Sequence, residues 1–161
     1  MSDDMIVQAV TFGLGAECFA IPVTLVREIL DYRETFRIPN GPAWLLGLTD
    51  VRGQGVPTVD LRTRLGLPLA EVTPATRILV IDAPLDGRVL TLGLVVDRVL
   101  DVSSFTQAQM EAAPDIGINW PSDYILGVVR RDDGFVVLID VEHIFSDSSD
   151  AALLTSIPKA A

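Results

Sequence analysis

An arginine in a glycine-flanked turn is the residue of this chain best placed to engage a partner chemically. Arg52 stands in Arg52-Gly53-Gln54-Gly55 between two apolar segments, a spacing that predicts a tight hairpin tip. A guanidinium there offers a rigid fork of donors to a carboxylate on another molecule. The plainer alternative is a solvated turn residue, or an internal pair with Asp50 or Asp60. The other reactive side chains form no catalytic pattern. His143 is the only histidine, and no Ser or Cys motif accompanies it as a nucleophile. It falls in the last turn of a short expected helix, where its charge complements the helix end. Cys18, the single cysteine, cannot form an internal disulfide and reads as a small core residue. Asp82, Asp86, Asp97 and Asp101 lack a calcium-loop spacing or a histidine partner, so they read as turn and solvent residues. Gly53 and Gly55 are not followed by Lys-Ser/Thr and open no helix, which excludes a phosphate loop. No catalytic residue, metal or cofactor is expected.

Bulk properties narrow the partners. The formal net charge is −10 over 161 residues, which disfavours nucleic acid and anionic membranes, both of which need clustered Lys and Arg. A protein partner with basic or apolar patches fits better. The hydrophobic fraction of 49% predicts a well-filled core with some apolar surface kept for partners. No apolar run approaches the roughly 18 residues that a membrane span needs. The acidic start Met1-Ser2-Asp3-Asp4 is unlike a secretory signal. Together these predict a cytoplasmic protein.

The elements that must position Arg52 read as strands. Ile6 to Phe12 and Glu17 to Ile21 predict a hairpin turning at Gly13 and Gly15, ended by Pro22. Val26 to Tyr32 is a strand, and Arg33 to Pro42 a connection dense in turn residues. Trp44 to Val51 and Val56 to Val59 are the arms on either side of Arg52. Pro57 demands an edge or bulge. Asp60 predicts an N-cap for a short helix over Leu61 to Leu65, stopped by Gly66. Arg77 to Asp82 and Arg88 to Val96 form a hairpin at Asp86-Gly87. Val99 to Val102 is a strand, and Thr106 to Ala113 a short helix before Pro114. Asp132-Asp133-Gly134 is another tip, and Asp140 caps a second helix over Val141 to Phe145. The tail from Ser146 to Ala161 is expected to be mobile.

The chain contains itself twice. Trp44-Leu45-Leu46-Gly47-Leu48 returns at an offset of 80 residues as Tyr124-Ile125-Leu126-Gly127-Val128, and Val59-Asp60 returns as Ile139-Asp140. Val26-Arg27-Glu28-Ile29-Leu30 similarly returns as Val96-Asp97-Arg98-Val99-Leu100. Short strands at this spacing predict an all-β pair of small barrels. Trp44 and Trp120 are expected to anchor them. Gly47 and Gly127 read as packing or bulge glycines. A cleft between repeats could alternatively hold a small ligand, as in a sensor or enzyme.

Several of these segments together resemble one family. Gly47-Leu48-Thr49-Asp50-Val51-Arg52-Gly53 followed by Val56-Pro57-Thr58-Val59-Asp60-Leu61-Arg62 is similar to the hallmark hairpin of the CheW chemotaxis coupling proteins. Gly93 to Val99 resembles that family's second-half signature, and Tyr124 to Gly127 with Leu138 to Glu142 its closing segment. The resemblance runs from about Val7 to Phe145. It implies two SH3-like five-stranded barrels around one shared core, in a single domain over residues 1–145. The expected subdomains are 15–75 and 76–145, with the N-terminal strand crossing over. It also implies a non-catalytic adaptor between the cytoplasmic tips of chemoreceptors and the regulatory domain of the histidine kinase CheA. A coupling role in a non-flagellar pathway, such as surface sensing or pilus motility, is the alternative. The receptor-contacting positions would be Val26, Glu28, Gly47, Arg52 and Gly53, and the kinase-contacting positions Val10 and Val23. Asp50 departs from the Asn usual in the hallmark and adds a negative charge near Arg52.

Overall fold

The computed structural model describes residues 6–39, 41–68, 70–85, 87–111, 124–131 and 134–145. The expectations for Asn40, Asp86, Ala113-Pro114, Trp120, Asp132-Asp133 and the tail fall outside these residues.

Among the described residues, eleven strands and two single-turn helices follow one another in two similar series. The first is β1 (Ile6–Leu14), β2 (Glu17–Pro22), β3 (Val26–Asp31), β4 (Leu45–Val51), β5 (Gln54–Asp60) and α1 (Leu61–Arg64). The second is β6 (Arg77–Leu85), β7 (Arg88–Val96), β8 (Arg98–Thr106), β9 (Met110–Glu111), β10 (Ile125–Arg131), β11 (Gly134–Ile139) and α2 (Val141–Ile144). The expected all-β class is the one found. The expected helix over Thr106 to Ala113 is not found. A 3-10 turn over Gln107–Gln109 leads into β9 instead. The Gln109 side chain turns back to accept from the Thr106 N–H at 2.7 Å, so the turn closes on itself and the chain re-enters the sheet.

The strands pair across the two halves. One sheet has the order β8-β1-β2-β11-β10-β9, the other β3-β6-β7-β5-β4. Each hairpin that begins a half is thus built into the sheet of the other half. The whole of β1-β2, not its first strand alone, joins the second-half strands, and β6-β7 joins the first-half strands. Strand pairing therefore does not follow a division at residues 75/76. Pairing is antiparallel except at two three-residue parallel contacts, β5 with β7 and β11 with β2, which attach each hairpin to its host. Pro57 stands one residue before the first of these contacts, where its missing N–H removes no parallel bond.

Both sheets curl, and the repeat shows how. After β3 the chain runs along the outer edge of β4, where Phe36 and Leu48 exchange two backbone bonds of 2.8 Å. At the matching place in the other sheet, β9 pairs with β10 at Val128. Each edge is thereby covered by the continuation of the opposite edge strand. The bulges also repeat, at Leu45/Gly47 and at Ile125/Gly127. So does the capped turn after them. Asp60 N–H donates to Trp44 O and Asp140 N–H to Tyr124 O, each at 2.8 Å.

The core explains the long apolar runs. On β6, Leu79, Ile81, Ala83 and Leu85 face the other sheet, while Ile78 and Val80 face the interior of their own. On β11, Val137 and Ile139 face across, and Val136 and Leu138 face inward. Central strands are buried on both faces, so their sequences show no alternation. The shared cluster contains Phe12, Phe19, Leu61, Val141 and Phe145, drawing on both hairpins and both helices. Each such side chain contributes about 1.5–3 kcal/mol on burial. These side chains fill the space between the sheets.

Candidate functional site

The hairpin joining β4 and β5 turns on two residues of left-handed backbone. Arg52 has φ 54° and Gly53 φ 82°. This geometry matches the twist of the flanking strands. Gly53 has open space around it, so glycine is used there for its backbone alone. Gln54 and Gly55, expected in the tip, already belong to β5. Asp50 holds the turn, its Oδ1 accepting from the Gly53 N–H at 2.9 Å.

Arg52 points outward, with 81% of its side chain exposed. Its guanidinium donates to Glu28 Oε1 at 3.2 Å, not to Asp50 or Asp60. Glu28 belongs to β3, at the opposite end of the sheet order from β4. The curl of the sheet is what brings the two together. Val26 opens β3 and packs half-buried against the shared core. Gly47 is buried at the bulge of β4 with φ 143°, and a Cβ there would lie 2.1 Å from Phe36 O. It is required where the segment after β3 crosses β4, and it presents no surface of its own. Four of the expected residues therefore lie around one tip and its facing strand, and Gly47 supports them from within.

Val10 and Val23 separate. Val10 is 2% exposed and belongs to the shared core, so its side chain is not available at a surface. Val23 is half-buried in the 3-10 turn Val23–Leu25 and lines a shallow cavity with Ile6, Val7 and Pro22. Ile6 is 61% exposed, and Val102, paired across from Val10, is 60% exposed. Sequence reasoning missed both, because an exposed valine or isoleucine in a strand looks the same as a buried one. Val102 thus lies beside Val10 in the sheet, and Ile6 stands four residues before Val10 on β1.

Asp97 is a further residue whose role the sequence did not reveal. Its carboxylate accepts from Arg62 Nε at 2.8 Å, from Arg62 Nη2 at 2.6 Å and from the Gly15 N–H at 2.6 Å. It is thus not a solvent residue. It ties α1 to the β7–β8 junction and to the β1–β2 turn. The Arg62 guanidinium holds the Asp97 carboxyl below the usual carboxylate range, against the opposing effect of burial. Asp101 accepts from the Thr11 hydroxyl at 2.6 Å, which lowers its pKa in the same sense, and Asp82 accepts from the Thr91 hydroxyl at 2.8 Å. Arg64 of α1 lies 5.6–5.7 Å from the centres of the Trp44, Tyr124 and Phe145 rings. It thereby links the equivalent aromatics of the two repeats.

His143 and Cys18 stand apart, each engaged in its own surroundings. The His143 ring meets its own N-cap, with Nδ1 2.6 Å from Asp140 Oδ2. Cys18 is half-buried in β2, and burial raises its pKa, so its thiol stays protonated near neutrality. A cavity of about 750 Å³ follows the loop after β3, and Tyr32, Glu34, Thr35, Arg37, Ile38 and Leu45 line it. No group of three or more metal-ligating side chains lies together among the described residues. No helix among them is long and apolar enough to cross a membrane.

The chain matches the CheW-like domain over residues 8–149. It belongs to the CheW-like family. A chemotaxis protein CheW from Klebsiella aerogenes is 32% identical over 149 residues, covering 92% of this chain and 87% of that one. A probable chemotaxis protein CheW from Rhizobium etli is 30% identical, covering 90% and 91%. Among solved structures, the scaffolding protein TtCheW from Thermoanaerobacter tengcongensis superposes with a TM-score of 0.78 at 23% identity, over 91% of this chain and 97% of that one. That likeness shows the shared fold. The CheW-like family comprises scaffolding and coupling proteins of chemotaxis, not enzymes.

Proposed function

We propose that this CheW-like chain is a cytoplasmic adaptor joining the cytoplasmic tip of a chemoreceptor to the regulatory domain of the histidine kinase CheA. The observation that carries the reading is Arg52, a guanidinium 81% exposed on a turn fixed by Asp50 and steered by Glu28. Ion pairs this exposed contribute little to folding, so an exposed charge on a rigid tip is better explained by a partner. The receptor side consists of Arg52, Glu28, Gly53 and Val26, with Gly47 supporting them. The kinase side is the apolar surface of Val23, Ile6 and Val102, with the buried Val10 paired beside Val102 in the sheet. Neither side relies on nucleic acid or on direct membrane contact.

The test is binding of a receptor cytoplasmic hairpin, measured by biolayer interferometry. Micromolar association, weakened at least about five-fold by Arg52→Ala with kinase-domain binding unchanged, is expected. Absence of association with either partner refutes the reading.

A further inference from the structure

Among the described residues, the charge on Asp50 has no partner. One of its carboxylate oxygens caps the Gly53 N–H, and the exposed side chain makes no ion pair within 4.0 Å. Arg52, the cation next to it in the turn, is engaged by Glu28. Arg33 reaches Asp50 only at the main-chain oxygen, at 3.0 Å. An asparagine would cap the turn equally well, since its amide oxygen accepts the same bond. The negative charge is therefore surplus to the turn.

We propose that Asp50 is a second charged anchor at this tip. It receives a Lys or Arg of the partner helix, beside the partner carboxylate that engages Arg52. The two anchors are two residues apart, so their Cα atoms lie within about 7 Å. Helix residues three or four apart place their Cβ atoms about 5–6 Å apart, so one helical turn bearing a base and an acid spans both. The partner class is a helix with mixed charges one turn apart, not a uniformly acidic one. Such a rim contact sets partner choice and encounter rate more than strength. This inference rests on the receptor-binding reading of Arg52.

The test compares the native chain with Asp50→Asn, Asp50→Ala and Arg52→Ala against a receptor cytoplasmic hairpin fragment at low and high salt. Asp50→Asn keeps the native melting temperature, because the cap is retained, yet binds about two- to five-fold more weakly at low salt. The difference closes near about 0.5 M salt, where screening is strong. Asp50→Ala loses the cap and melts lower. Changing the facing Lys or Arg of the fragment to Glu weakens the native complex, and Asp50→Lys restores it. If Arg52→Ala weakens binding while Asp50→Asn binds equally or more tightly, the second anchor is overturned and the receptor reading stands. If Arg52→Ala has no effect, the receptor reading itself fails, and this inference with it.

Discussion

Replacing Asp97 by Asn tests whether the two halves are locked at the Arg62–Asp97 junction. The side chains of the pair are 14% and 24% exposed. Breaking a fully buried pair costs about 3–5 kcal/mol, and an exposed one about 0–1 kcal/mol. The intermediate burial here places Asp97→Asn at about 2 kcal/mol. The substituted amide can still accept one bond from Arg62 or Gly15, but the guanidinium loses its counter-charge. For a chain of this size the melting temperature falls by about 4–8 °C. The pH dependence has a definite sign. Asp97 has a lowered folded pKa, so its stabilisation is fully present above the ordinary carboxylate pKa of about 3.9 and is lost as pH falls through the folded value. Asp97→Asn should therefore shift stability least at low pH, with a gap that widens up to about pH 5 and is constant above it. Urea denaturation of Asp97→Asn, Arg62→Gln and the double variant at pH 3 and pH 7 measures both effects. A coupling energy of about 1–2 kcal/mol at pH 7 is expected. Additive effects, or a loss below 0.5 kcal/mol at pH 7, refute the reasoning.

Other substitutions separate scaffold from surface. Gly47→Ala forces a Cβ against the Phe36 carbonyl in a left-handed conformation and should cost about 3 kcal/mol or more by denaturant unfolding. Gly127→Ala brings a Cβ to 3.3 Å from the Met110 Cβ, a tight but not overlapping approach, and should cost less than Gly47→Ala, about 1–2 kcal/mol. Arg52→Gly relieves a positive φ while removing an exposed ion pair, so stability should change by less than about 1 kcal/mol while receptor binding is lost in a pull-down. Val10→Ala should lower stability by about 2 kcal/mol in the same unfolding assay. Val102→Glu should leave folding intact and weaken kinase-domain binding by calorimetry.

The local features of this fold were legible because their chemistry is local. Asp60 and Asp140 declare their helix caps, and the 80-residue offset declares the repeat down to its bulges. The exchange of hairpins was not legible. Which strand a hairpin joins is decided by the shared core, and apolar runs such as Ile78-Leu79-Val80-Ile81 carry no mark of their neighbour. Gly13 looked like a turn residue but continues β1, where a Cβ would press on the Arg98 guanidinium. Asp97 looked like a solvent carboxylate because its cation is 35 residues away in sequence. Arg52 was identifiable from turn chemistry alone, whereas its pairing with Glu28 required the sheet to curl. Val10 shows the limit of reading valines, since a strand valine fits a core and an interface equally well.

The most direct measurement for the adaptor account is sedimentation of the chain mixed with a receptor cytoplasmic fragment and the kinase regulatory domain together. A ternary complex is expected, with Arg52→Glu releasing only the receptor fragment and Val102→Glu releasing only the kinase domain. Competition between the two partners, or the loss of both through one of these substitutions, contradicts a molecule that holds two proteins on separate surfaces.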